Sequence, residues 1–340
     1  MDSITQIVLG AACGEAVLGK KIGNRALLFG AIGGTIPDLD VFIGKLLFNN
    51  EIDAMAFHRG FMHSFLFAIL AAVGFGMLVF WIYNRGKRFG MTTQKEWMWL
   101  FFASIFTHPI LDSFTAYGTQ LFAPFSNYRV AFNNISVADP TYTLPFLIAL
   151  IVVMCFNRTS TKRRLFLQIG LGVSSLYMLL TLVNKYHVNG VYKQSLADHQ
   201  IEYLRFQTQP TILNNILWYG TAETAEAYYV GFYSIFDTEA TVSKWHKLPK
   251  NHELIGGMPK DLETLAWFSS GYYNLNETAD PDTFLFKDLR YPLMDESDPN
   301  SSIFKFTITK KDDRWEAAPF YASDVSSDAL DSFWTRLKGI

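Results

Sequence analysis

The sequence is poor in cysteine. Its 340 residues include two, Cys13 and Cys155. Both fall inside apolar runs, where a small buried hydrophobe is the expected role, so a disulfide is not expected and the compartment is left open. Charge of one sign is missing as well. The formal net charge is −2 at pH 7, and the second half of the chain has no basic stripe, so no nucleic-acid partner is expected. No basic region precedes the first apolar stretch in Met1-Asp2-Ser3-Ile4-Thr5-Gln6, and the opening is therefore expected to be retained rather than cleaved as a signal peptide. Internal repeats and low-complexity tracts are not visible.

What the chain does have is apolar length. Half of it is hydrophobic and only 18% is charged, and the charge is unevenly spread. Residues 1–186 are apolar runs with short polar breaks, whereas residues 187–340 read as an ordinary soluble domain. A helix rises about 1.5 Å per residue, so roughly 20 apolar residues cross a bilayer. About six spans are expected, near residues 4–19, 26–44, 61–84, 97–116, 143–157 and 165–186. The first, second and fifth are short or glycine-rich, and one of them is a candidate for a re-entrant or interfacial helix. Lys20, Lys21 and Arg25, then Arg85, Lys87, Arg88 and Lys95, then Arg158, Lys162, Arg163 and Arg164 fill alternate breaks. The other breaks carry only Lys45, Arg59 and Arg129. The positive-inside rule then puts the amino terminus and the carboxy-terminal domain outside the cytoplasm. The expected fold is an α-helical integral membrane domain followed by a soluble, extracytoplasmic α+β domain.

Ionisable groups at membrane depth are costly and need a partner or a task. With that topology they all fall at the outer face: Pro37-Asp38-Leu39-Asp40, His58-Arg59-Gly60-Phe61-Met62-His63-Ser64, Thr107-His108-Pro109-Ile110-Leu111-Asp112, and Asp139 before the fifth span. His108 and Asp112 are four apart and share one helical face. His58 and His63 are five apart, so His58 is expected before the helix and His63 in its first turn. The reading is a divalent metal held by His58, His63, His108, Asp112, Asp38 and Asp40. Imidazole with carboxylate suits zinc, and manganese or iron are also compatible. Arg59 is placed to hold an anionic group of a substrate, and the spare carboxylates Asp40 and Asp139 are candidates for catalytic base.

Over its first 140 or so residues the chain resembles the YdjM-like bacterial inner-membrane proteins, a family of predicted metal-dependent hydrolases. The resemblance lies in Met1-Asp2-Ser3-Ile4-Thr5-Gln6 with Gly14-Glu15, in the Pro37-Asp38-Leu39-Asp40 and His58-to-Ser64 motifs, in His108-Pro109-Ile110-Leu111-Asp112, and in Asp139-Pro140. Many members carry Thr-His where this chain has Thr5-Gln6, which leaves open whether Gln6 or Glu15 takes part in the site. The family is also distantly similar to the zinc-dependent phospholipase C and single-strand nuclease fold, whose helical His-x3-Asp matches His108 and Asp112. The resemblance implies phosphoester or ester hydrolysis.

In the soluble half, Tyr228–Phe236 and Phe304–Thr309 are expected to be strands and Leu262–Phe268 a short helix, around a small antiparallel sheet. Pro210, Pro249, Pro259, Pro281, Pro292 and Pro299 are expected in loops. Lys287-Asp288-Leu289-Arg290 reads as a surface ion pair or a partner-binding turn, the first favoured. His187, His199, His246 and His252 show no ligand spacing. The resulting expectation is a membrane-bound, metal-dependent hydrolase acting on an ester or phosphoester, lipid among the candidate substrates, with the bilayer itself as a partner. The alternatives are an ion or small-molecule transporter and a non-catalytic anchor for the outer domain.

Overall fold

A computed structural model describes residues 1–293, 296, 298, 301–311, 314–320 and 327–339; Pro299 lies outside the described residues. Contacts divide the chain into two units. The first is Met1–Ile43 with Phe57–Leu182, and the second is Gly44–Ala56 with Val183–Ile340. In chain order the helices that open it are α1 (Ser3–Ile22), α2 (Asn24–Thr35), α3 (Asp40–Leu47), α4 (Glu51–Phe57), α5 (Phe65–Tyr83), α6 (Gln94–Ser113), α7 (Pro140–Cys155) and α8 (Thr161–Asp198).

The helix starts are written locally. Asp2 caps α1 by accepting from Thr5 N at 3.0 Å. Ser64 caps α5, and Thr93 with Glu96 forms a reciprocal capping box on α6. Asp139 caps α7, with Pro140 in the first helical position. Between α2 and α3, Pro37–Leu39 makes a single 3-10 turn, and the chain bends there by 45°. A proline cannot donate into the preceding turn, so the helix breaks and its last carbonyls turn to other partners.

All six apolar stretches expected from the sequence fall on helices. Among the described residues, however, only α5 and α8 are long and apolar enough to cross a membrane singly, and the bent α2–α3 pair raises the number to three. On α5 the outward side chains are apolar: Ile69, Leu70, Val73, Met77, Leu78 and Ile82 are 41–57% exposed. Such a face suits lipid rather than water. The inner faces pack in two clusters. One joins α1, α2, α5 and α6 through Leu18, Ala26, Ala68, Trp97, Leu100 and Ile105, and the other joins α1, α6, α7 and α8. Cys13 and Cys155 are free; Cys155 is exposed on α7 rather than buried.

The second unit contains two four-stranded antiparallel sheets, each a meander. The first is β1 (Arg205–Pro210), β2 (Leu217–Glu223), β3 (Ala227–Ser234) and β4 (His246–Pro249), followed by α9 (Lys260–Phe268). The second is β5 (Tyr273–Glu277), β6 (Thr283–Asp288), β7 (Lys305–Lys311) and β8 (Arg314–Pro319), followed by α10 (Ser327–Leu337). Each helix packs on the other sheet. Leu262 and Leu265 of α9 join Leu275, Phe286, Phe306 and Ile308, while Phe333 and Leu337 of α10 pack on Leu217, Tyr219 and Phe232. The strands expected around Tyr228 and Phe304 are β3 and β7. Pro210 and Pro249, expected in loops, instead end β1 and β4; both are edge strands, where a missing donor is tolerated. The Lys287–Arg290 stretch is not a surface feature. Asp288 and Arg290 are 0% and 3% exposed and pair at 2.6 Å inside the unit.

Candidate metal centre

Four side chains of the first unit converge on one point. Asp38 comes from the 3-10 turn after α2, His63 from the turn before α5, and His108 with Asp112 from one face of α6. His63 Nε2 and His108 Nε2 are 3.1 Å apart. Asp38 Oδ1 is 3.4 Å from each of them. Asp112 Oδ2 is 3.5 Å from His63 Nε2 and 3.6 Å from His108 Nε2. A zinc ion with ligands at about 2.0–2.1 Å in tetrahedral geometry separates its ligand atoms by about 3.4 Å. Five of the six separations among the four donor atoms thus lie at 3.1–3.6 Å, near those of a four-coordinate site.

The far nitrogens determine which lone pairs face inward. His108 Nδ1 lies 2.6 Å from the Gly34 carbonyl oxygen, which can only accept, so Nδ1 carries the proton. His63 Nδ1 lies 3.0 Å from Asp40 Oδ2, a close contact without hydrogen-bond alignment. The two Nε2 atoms face each other across 3.1 Å beside two carboxylate oxygens, and with its proton on Nδ1 a neutral His108 turns a lone pair inward. Four electron-rich atoms in a buried space repel unless a cation lies among them. Asp112 Oδ2 also accepts no well-directed hydrogen bond. The residues present fit a divalent metal ion.

Asp40 and His58 sit one step outward. Asp40 accepts from Arg59 N at 2.9 Å and meets His58 Nδ1 at 2.8 Å while orienting His63. That is the carboxylate–histidine pairing that supports metal ligands from outside. Asp40, His58 and His63 form a second group close enough to share an ion. Burial lowers His58 below the usual imidazole value, against the opposing pull of Asp40.

Arg59 is 4% exposed. Its Nε lies 3.0 Å from Asp112 Oδ2, its Nη1 donates to Thr115 Oγ1 at 2.9 Å, and the guanidinium lies 4.7 Å over the Tyr117 ring. The guanidinium expected to meet a substrate anion is thus engaged by Asp112 and its neighbours. Asp139 is not among the converging groups. It accepts from Thr141 N and Tyr142 N at the start of α7, and from Tyr177 OH at 2.8 Å. Gln6 takes part where Glu15 does not. Gln6 Nε2 donates to Asp112 Oδ1 at 2.9 Å, and the Met1 nitrogen meets the same oxygen. Glu15 lies nine residues further along α1, about 13 Å, and pairs with Arg163 at 2.6 Å. Gly34, Thr115 and Tyr117 were not legible as site residues. Two contribute through a backbone carbonyl or an aromatic face, and none carries a charge for a motif to register.

No solved structure matches the chain. A protein of Bacillus subtilis strain 168, described as uncharacterized protein YfhP, is 26% identical over 242 residues, 68% of each chain. The model of the YdjM inner membrane protein family matches residues 1–188, which include every side chain of the cluster. On that match, covering more than half its length, the chain belongs to the YdjM inner membrane protein family.

Proposed function

We propose that this membrane protein is a metal-dependent hydrolase of an ester or phosphoester, with its site at the outer face of the cytoplasmic membrane. The observation that carries the reading is the convergence of four ligand atoms: His63 Nε2 and His108 Nε2, 3.1 Å apart, with Asp38 Oδ1 and Asp112 Oδ2 at 3.4–3.6 Å from each. A divalent ion, zinc on this donor set, supplies Lewis acidity toward an ester or phosphoryl oxygen and acidifies water at neutral pH. The chain's own residues do the rest. Asp38, His63, His108 and Asp112 hold the ion. The Gly34 carbonyl holds His108 with Nε2 inward, and Asp40 lies 3.0 Å from the far nitrogen of His63. Gln6 and Arg59 hold Asp112 in place. Asp38 is the member of the four with appreciable exposure, 26% of its side chain, so substrate would approach from its side.

The basic-residue asymmetry of the breaks supports six spans with both ends outside. The expected position of the cluster at the outer ends of the spans supports a lipid among the candidate substrates. The transporter alternative would need polar groups continuing to the other face. There, Glu15 and Arg163 are joined in a closed ion pair. Metal analysis of detergent-purified protein is the direct test. A single divalent ion per chain, lost in His108→Ala/Asp112→Ala with the protein still inserted, is expected. Equal metal content in wild type and double variant would remove these residues from the site. A panel of lipid and phosphodiester compounds, turned over by metal-loaded but not chelated protein, then separates enzyme from anchor.

A further inference from the structure

One stretch of chain separates the carboxylate-bearing arm of the cluster from its histidine-bearing arm, and it is seated in the second unit although α3 begins before it at Asp40 and α4 ends after it at Phe57. Gly44–Ala56 belongs to the second unit, whereas Asp38 and Asp40 before it and His58 and His63 after it belong to the first. Its seat in the second unit is specific. Ile52, on α4, is fully buried in the core built by α9 and the β5–β8 sheet, and Met55 packs against the same core. Asn50 Nδ2 donates to both carboxylate oxygens of Asp261 at 3.0 and 3.2 Å. Asp261 is buried and also accepts from Ala317 N of β8 at 2.9 Å. Asp53 pairs with Lys260 at 2.6 Å.

The two ends of this stretch return to one place. Arg59 N donates to Asp40 Oδ2 at 2.9 Å, and His58 Nδ1 meets Asp40 Oδ1 at 2.8 Å. The connector is therefore a loop closed at its base by Asp40 and fastened at its middle by the second unit. A connection needed only to join neighbouring helices is usually short and lies on the surface; this one places a wholly buried isoleucine in another unit's core.

We propose that the second unit sets the metal cage: by fastening Gly44–Ala56 it holds α3, which begins at Asp40, and α4, which ends beside His58, and Ile52 and Asn50 are positioning residues for Asp38 and His63. The proposal rests on the metal reading above, but one of its readouts needs no metal. Restricting the connector before the ion arrives removes entropy that closing the cage would otherwise cost. The coupling is reciprocal, so the ion in turn holds α4 in its seat.

The test uses the full chain in detergent. One variant is Ile52→Ala, with Ile52→Val as the conservative control. Another inserts a short flexible Gly-Ser segment between Leu47 and Phe48, which leaves the Ile52 seat intact while slackening the connector. Zinc affinity is measured by competition with a chromogenic chelator, and the Arg59 amide, which spans the loop base, is followed by hydrogen exchange in metal-free protein. Ile52→Ala and the insertion are each expected to weaken zinc binding about 10-fold or more, as supporting-residue changes do, and to speed Arg59 exchange, while Ile52→Val stays near wild type. Should Ile52→Ala fail to fold, the insertion decides. Wild-type affinity and wild-type exchange in the insertion variant would overturn the proposal. If wild-type protein binds no zinc, the metal reading falls, and faster Arg59 exchange in the insertion variant would still support the fastening while unchanged exchange would overturn it.

Discussion

Arg59 holds a backbone conformation that few side-chain-bearing residues adopt, with φ of 59°. The conformation is kept by bonds on both sides: its N–H donates to Asp40 and its carbonyl accepts from Gln120 N at 3.0 Å. Strain of this kind persists where surrounding structure over-determines it, and it gathers at functional sites. Here it aims the guanidinium at Asp112, Thr115 and Tyr117 together. A lysine carries the charge but offers neither the fork nor the flat face. Arg59→Lys is therefore expected to lower zinc affinity and hydrolysis together, with the protein still inserted. Wild-type zinc affinity in the variant would return Arg59 to a role outside the cluster. Asp139 gives the contrasting prediction. As the cap of α7 it should cost about 0.5–2 kcal/mol when changed to Ala, seen as a lower melting temperature, with metal content unchanged. Metal loss in Asp139→Ala would place this carboxylate back in the site.

At the scale of elements, the cluster depends on how closely α1 and α2 approach. A Cβ on Gly10 would lie 2.8 Å from the Gly34 Cα and against the Gly30 carbonyl, and one on Gly34 would lie 2.5 Å from the Gln6 carbonyl. Small residues let two helix backbones meet in this way. The contact has a chemical consequence, because the Gly34 carbonyl holds His108 Nδ1 and Gln6 holds Asp112. Gly10→Val should push the helices apart and loosen both ligands of α6 at once. The expected result is a loss of bound metal comparable to losing an outer support, about 10–100-fold in affinity, read by the same chelator competition. Full affinity in a folded Gly10→Val protein would separate the helix packing from the site. The glycines announced close packing in the sequence. That one of them would lend its carbonyl to a histidine was not visible, since a backbone acceptor carries no residue-type signature.

For the molecule as a whole, the open quantity is orientation. Arg and Lys accumulate in alternate breaks, and Arg158 and Arg163 reach back to the α1–α2 break, to the Lys21 carbonyl and the Asn24 side chain. These basic groups gather at one end of the helical unit. The histidine–aspartate cluster lies toward the opposite end of α1, from which Gln6 reaches Asp112. A reporter that works only in the cytoplasm, fused to the carboxy terminus, is expected to be silent, and one active only outside should work. The reverse pattern would turn the cluster to the cytoplasmic side and remove the outer-leaflet lipid from the candidate substrates.

Apolar run length was enough to locate α1, α2, α5, α6, α7 and α8, the later change to a soluble-looking α+β region and the polar motifs, because these follow from residue type over short spans of chain; α4 and α10 were not expected from it. His108 and Asp112 could be paired on sight, since one helix turn fixes their spacing. What only the tertiary structure decided is the order among the polar groups. Asp38 faces into the cluster and Asp40 turns outward to hold His63 and His58, although the two are neighbours in one motif. Arg59 is committed to Asp112, and Asp139 to a helix start. Lone pairs and carbonyls from residues far apart in sequence set those roles, and such directions exist only once α1, α2, α5 and α6 have packed. The same holds for Gly44–Ala56. Its apolar residues read locally as the tail of a span and a short loop, and the core that receives Ile52 lies more than two hundred residues further along the chain.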